Sequence, residues 1–264
     1  MNARHSLLSI SLLAGSLVAT SADAQGTEYA AGTTRYRLTS TTKGTQASPM
    51  GSQDFQVDMR EQLTVSIARR AADTVVATVT VDSLTLKSAA VPTDVSKLLG
   101  TKIVNFISPT GKLYSSQVAP STDPMMGQVS DAISRFLPSF RRDLRTGFTW
   151  TDTTSGKMTQ QGIELDRTMI ANYTVLGDTT VGGEHAFQIQ RKTSVKAAGS
   201  GMAQGQPVGI ESATASTAKF FISPKGQYLG GGQSDDITVK VSILAQGVDI
   251  NIKQTAQSTV ETIR

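Results

Sequence analysis

The sequence predicts a mainly β protein: one large curved antiparallel sheet, a half-barrel or open barrel of about a dozen strands, with one or two short helices packed on its concave face. Three observations predict it. Apolar and polar residues alternate with a period of two over long stretches, Gly, Pro and Asp mark the turns between those stretches, and helical spacing is confined to two short patches.

The first segment, residues 1–24, reads as a cleavable signal peptide. Arg4 precedes an apolar run over 7–19, and Ala22 and Ala24 supply the small residues at −3 and −1, which places cleavage before Gln25. The run falls short of the ~20 apolar residues that a spanning helix needs. Export to the periplasm or beyond is therefore expected. The chain has no cysteine, which excludes disulfides, lipid attachment through a thiol, thiolate metal sites and iron–sulfur clusters. The remaining residues, 25–264, read as a single β-rich domain, within which an internal echo suggests two related halves of about 30–140 and 145–264. A domain of that size buries about 70% of its surface and is stable without cross-links. A net charge of +4 favours solubility and falls short of a nucleic-acid signal.

Strand signals begin at Phe55, where Phe55, Val57, Met59, Leu63, Val65 and Ile67 alternate with polar residues. Glu61 alone breaks the apolar series. After a turn at residues 69–73, Val75, Ala77, Val79 and Val81 share a face, and the phase then flips to Leu84 and Leu86. A bulge near Asp82 and Ser83 would produce that flip. Residues 163–176 and 184–195 read as strands joined through Gly177-Asp178 and Gly182-Gly183. A C-terminal hairpin turns at Gln246-Gly247, with Ile237, Val239, Val241 and Ile243 on one strand and Val248, Ile250 and Ile252 on the other.

Asp123-Pro124 is an N-cap followed by Pro at the first helical position. Met125, Met126, Val129, Ile133, Phe136 and Leu137 then follow at helical spacing until Pro138 stops the helix. A shorter helical turn over 94–99 is closed by Gly100. Residues 44–53, 119–124 and 197–209 are rich in small and polar residues and are expected to be loops. An internal echo joins Phe106-Ile107-Ser108-Pro109-Thr110-Gly111-Lys112 to Phe221-Ile222-Ser223-Pro224-Lys225-Gly226-Gln227. It predicts two equivalent hairpins.

Catalytic and metal-binding signals are weak. His185 is the one histidine left after residue 24, and it stands at a turn without a G-x-S-x-G serine elsewhere to use it. Ser216-Thr217-Ala218-Lys219 fits S-x-x-K but lies in a strand-like run. Asp235 and Asp236, as sequence neighbours, would face opposite sides of a strand. Asn172 heads a glycosylation sequon inside a strand. Arg135, Arg141, Arg142 and Arg145 interleave with Phe136, Leu137, Phe140 and Leu144; this reads either as a patch for a membrane or an acidic partner or, favoured because Pro138 breaks the helix, as a snorkelling rim over buried apolar residues. No enzyme activity, cofactor or metal is expected.

Arg145-Thr146-Gly147-Phe148-Thr149-Trp150 resembles the G-x-x-W strand start of bacterial exported β-rich proteins. The segment Tyr173-Thr174-Val175-Leu176-Gly177, followed by Val181-Gly182-Gly183-Glu184-His185-Ala186-Phe187-Gln188-Ile189, is similar to their Y-x-V-x-G … V-x-G-x-x-A-x-x-I hairpin. That group in turn resembles the LolA/LppX-like periplasmic lipoprotein carriers. The resemblance implies a curved sheet whose concave apolar face holds acyl chains beneath helical lids. It implies a carrier of lipid or another hydrophobic small molecule, monomeric and not stably inserted in a membrane. Met59, Met125, Met126, Val129, Ile133 and Phe136 would line the cavity or its lid. The competing expectation is an envelope interaction module with a fully packed core and a protein partner. An outer-membrane barrel is disfavoured by the sparse aromatics and the internal helix.

Overall fold

The computed structural model describes residues 26–49, 51–88, 95–118, 133, 136–160, 163–203 and 205–263. Eleven strands form one antiparallel sheet: β1 (Gly32–Ser48), β2 (Gly51–Arg69), β3 (Val75–Ser88), β4 (Lys102–Ile107), β5 (Leu113–Val118), β6 (Thr149–Gln160), β7 (Ile163–Val181), β8 (Glu184–Ala203), β9 (Gln206–Ile222), β10 (Tyr228–Ile243) and β11 (Val248–Ile263). Their order across the sheet is β5-β4-β3-β2-β1-β11-β10-β9-β8-β7-β6, so β5 and β6 are its edges and the sheet is open. Each hairpin pairs with the next, and the ladder between β1 and β11 joins the two arms.

The strands obey the alternation that predicted them. Across β2 and β3 the register shifts between Gln62 and Leu63, leaving Asp82 as the extra residue. This is the bulge that the phase flip requires. Leu63 and Val81 lie on the apolar side before it, and Leu84 opposite Glu61 returns to that side after it.

The sheet curls at the end where β1 begins. Tyr29 N–H donates to Pro109 O in the β4–β5 turn at 2.7 Å, and the neighbouring Ala30 N–H donates to Gly226 O in the β9–β10 turn at 3.2 Å. In a flat sheet β4 and β10 would stand about 24 Å apart at ~4.8 Å per strand. Two consecutive residues reach both turns because the sheet wraps round to bring them together.

These turns are the echoed heptapeptides, and their geometry is the same. Ser108 N–H donates to Lys112 O and Gly111 N–H to Ser108 O; Ser223 N–H donates to Gln227 O and Gly226 N–H to Ser223 O. Each serine Oγ also accepts from the backbone N–H four residues on. Gly111 and Gly226 sit at φ +88° and +80°, and a Cβ on Gly226 would fall 1.5 Å from Glu28 O. Only glycine satisfies both the turn and the approach of the N-terminal segment.

One buried cluster fills the curled end. Tyr36, Leu63, Val79, Ile103, Val175, Ile189, Phe220 and Ile222 come from the strands, and Ile133, Leu137, Phe140 and Leu144 from the connection between β5 and β6. Tyr36 stacks on Tyr228 and donates its OH to Tyr228 O at 3.0 Å, while Phe136 meets both rings edge-on. Tyr29 OH donates to Pro138 O at 2.7 Å, which ties the N-terminal segment to the connection. Glu28 pairs with Arg69 and Arg142, Arg141 pairs with Asp152, and Arg145 lies over the Phe148 ring. The described arginines are thus a rim over the buried Leu137, Phe140 and Leu144. Arg135 lies outside the described residues.

Several sequence expectations need correction. Residues 44–48 and 51–53 are not loop: they continue β1 and β2 in register through Ser48↔Gly51. Residues 197–203 and 206–209 likewise pair as β8 and β9, Ala197↔Ser212 through Ala203↔Gln206, around Gly205 at φ +79°. Small residues suggested looseness, but the backbone ladder is indifferent to side-chain size when both partners stay extended. Glycine also has a packing use there. With Gly199 and Gly201 facing inward on β8, Ile163 and Leu165 of β7 form a second small cluster with Val208 and Ile210 of β9. Gly177-Asp178 does not end β7. The strand runs on to Val181 past a bulge at Leu176. Residues 119–124 lie outside the described residues, as does most of the predicted helix, of which Ile133 is seen in helical conformation. The second helical patch is a 3-10 turn, Ser96–Leu98, followed by Gly100 at φ +75°.

Candidate functional site

The face of the sheet that carries the core cluster is its inner face, and the register defines how it continues beyond that cluster. Arg191 lies level with Tyr173 and Trp150 on one side, and with Ala218, Gln233, Ser258, Ser40 and Met59 on the other. The next row inward-facing holds Asp152, Thr193, Ser216, Asp235 and Val57. Beyond this polar belt the same face turns largely apolar again: Met169, Val195 and Ile237, then Val239 and Ile252, then Leu165, Ile210, Val241 and Ile250, and finally Ile163, Val208, Ile243 and Val248. Arg167, Ser212, Thr214 and Gln254 interrupt it. On β10 and β11 these inward residues are half-buried, whereas most of their outward neighbours are exposed.

The belt and the row beside it contain polar atoms that the described residues leave unpartnered although they are out of contact with solvent: Trp150 Nε1, Arg191 Nε and Thr193 Oγ1 in the belt, and Glu61 Oε1 one row nearer the core. Glu61 is 5% exposed, sits between Leu38 and Leu84 in register, and faces inward. Burial pushes its carboxyl up from 4.5 to about 7, because a charge there loses its hydration. Arg191 donates to Gln233 Oε1 at 2.7 Å, and Gln233 Nε2 donates to both Asp235 oxygens at 2.8 and 2.9 Å. Trp150 stacks face to face on Tyr173, centroids 4.6 Å apart and planes 4° from parallel. Burial likewise raises the Tyr29, Tyr36 and Tyr228 phenols above their ordinary value, which keeps them neutral.

The residues predicted to line a cavity separate. Met59 is half-buried on the inner face in the row of Arg191. Ile133 and Phe136 belong to the plug around Tyr36 and Tyr228. Met125, Met126 and Val129 lie outside the described residues. Two large grooves among the described residues lie on the outer face. One of about 770 Å³ includes Lys43, Asp54, Asp236 and Lys253, and one of about 550 Å³ includes Asp166, Lys196, Glu211 and Lys240. Both are rich in charged and hydroxyl groups. Arg191, Thr193 and Trp150 were missed, although their phase is visible: Ile189, Arg191, Thr193 and Val195 alternate on the apolar side.

Other sequence candidates resolve simply. His185 is exposed, 3.7 Å from Asp178. Ser216 and Lys219 fall on opposite faces of β9, as do Asp235 and Asp236 on β10. Asn172 accepts from Thr151 Oγ1 on the outer face. Among the described residues no group of His, Cys, Asp and Glu suits a metal ion, and no helix is long and apolar enough to cross a membrane.

Fold and face together define the class: an open antiparallel sheet whose inner face is apolar and is plugged at one end. No family model and no curated protein matches the chain. Among solved structures it is similar to an outer membrane lipoprotein-sorting protein domain from Vibrio parahaemolyticus, at 12% identity over 84% of this chain and 83% of that one, TM-score 0.20. It is also similar to a DUF1329 family protein from Desulfovibrio piger, at 8% identity over 84% of each chain, TM-score 0.18. Both superpositions are loose.

Proposed function

We propose that this chain is an exported, non-enzymatic carrier that holds a lipid or another hydrophobic ligand against the inner face of its sheet. The observation that supports it is the one-sided chemistry of β7–β11 beyond the plug. Ile237, Val239, Val241 and Ile243 on β10, with Val248, Ile250 and Ile252 on β11, turn to the inner face and remain half-buried. The described apolar members of the plug, Ile133, Phe136, Leu137, Phe140 and Leu144, belong instead to the cluster with Tyr36 and Tyr228 at the curled end. A sheet with one apolar face gains stability, about 25 cal/mol per Å², from anything apolar that covers it.

The test is native mass spectrometry of residues 25–264 purified without detergent, with an organic extract of the same sample and titration with an environment-sensitive naphthylamine dye. A co-purifying hydrophobic mass lost on denaturation, or saturable dye binding that lipid displaces, is expected. A well-folded apo mass with no saturable binding would overturn the proposal.

A further inference from the structure

We infer that Arg191, Thr193 and Trp150 form a receptor for the acidic headgroup of an amphiphile, a carboxylate or a phosphate, whose tail runs along the apolar band beyond them. This rests on the carrier reading and specifies its ligand. Trp150 Nε1 and Arg191 Nε carry N–H groups and can only donate, and Thr193 Oγ1 is able to donate. All are on the inner face within two rows of one another, Arg191 and Thr193 on β8 and Trp150 on β6, with Tyr173 of β7 between Trp150 and Arg191. A buried donor without an acceptor is costly, and several on one patch point to an acceptor that is part of the working complex.

Charge narrows the choice. Each acid on this part of the face is otherwise engaged or distant from Arg191. Asp152 pairs with Arg141, Asp235 accepts from Gln233, and Glu61 is shifted by burial alone, with no contribution from a cation. Gln233 stands between Arg191 and Asp235, so the guanidinium has a neutral acceptor and no carboxylate partner among the described residues. An unpaired cation in a water-poor setting favours an anion over a neutral acceptor. From Thr193 to Gly201 the inner face continues for about 27 Å of strand. One acyl tail fills about half of a ~30 Å hydrocarbon core, so this length accommodates it.

The test titrates residues 25–264 at pH 8 with sodium oleate, with oleyl alcohol and with sodium acetate, following heat and the emission of Trp150, the single tryptophan. The wild type is expected to bind oleate about tenfold tighter than the alcohol, with Trp150 emission changing, and to show no response to acetate at matched concentrations. Arg191→Gln should remove most of that preference and leave alcohol binding within about twofold. Thr193→Val should reduce it in the same direction, and it provides the readout if the arginine variant fails to fold. Equal binding of oleate and alcohol, or an unchanged preference in the folded variants, would overturn the headgroup inference while leaving the carrier reading intact. Acetate binding as tightly as oleate would make this a small-anion site and overturn it too. If neither amphiphile binds, the carrier reading itself falls.

Discussion

Glu61→Gln should gain stability relative to wild type as pH rises from acid to alkaline. In the folded state burial raises the carboxyl to about 7 from 4.5 in the unfolded chain, so between those values the folded state binds more protons than the unfolded one. Stability therefore falls as pH rises through this window. Below 4.5 the group is neutral in both states and costs nothing; above 7 the full penalty applies. The shift corresponds to roughly 3 kcal/mol, since one pKa unit is about 1.4 kcal/mol. Glutamine keeps the shape without the charge. Any fixed cost of burying its amide cancels when the difference between wild type and variant is itself compared at two pH values. The assay is urea denaturation of both proteins from pH 4 to pH 8.5, with equal m-values required. The variant should gain roughly 3 kcal/mol relative to wild type across this range, equivalent to about 6–12 °C in Tm for a domain of this size. A difference that stays constant with pH to within about 0.5 kcal/mol would refute the reasoning and show that the Glu61 carboxylate is hydrated or paired.

Gly226→Ala forces a Cβ onto Glu28 O at a positive φ, so it should cost several kcal/mol or abolish soluble expression, whereas Gly156→Ala, with open space around it, should stay within about 1 kcal/mol of wild type by thermal melting. Tyr36→Phe removes the hydrogen bond to Tyr228 O and should cost about 1–2 kcal/mol in urea titration. Arg142→Ala removes one of the two arginines on Glu28, and because its side chain is half exposed the loss should be no more than about 1 kcal/mol and should shrink in high salt.

Period-two alternation made the sheet legible, and it even located the Asp82 bulge, because a one-residue insertion must exchange the faces of everything after it. Glu61 was visible as the one polar member of an apolar series, but its burial depends on Leu38 and Leu84 from neighbouring strands. Residues 44–48, 51–53, 197–203 and 206–209 look like loop for a different reason. Their glycines and alanines carry no local strand preference, and the ladders with β2 and β9 hold them. The belt of Arg191, Thr193 and Trp150 escaped because it is assembled from β6 and β8, which the sequence separates by the whole of β7. Its members look like ordinary polar strand residues until register assigns them an inner face.

The ladder between β1 and β11 has a consequence for how the molecule is made. β1 is synthesised long before its partner, and Arg35 must wait for Ile263 before that edge is closed. Tyr36, too, finds the carbonyl of Tyr228 only across a gap of 192 residues. Until the last strand arrives, the nascent sheet presents a long unpaired edge, the form most open to wrong partners. A chain built this way depends on being kept apart from its own copies during biogenesis, and its yield should fall with expression rate more steeply than its final stability would suggest.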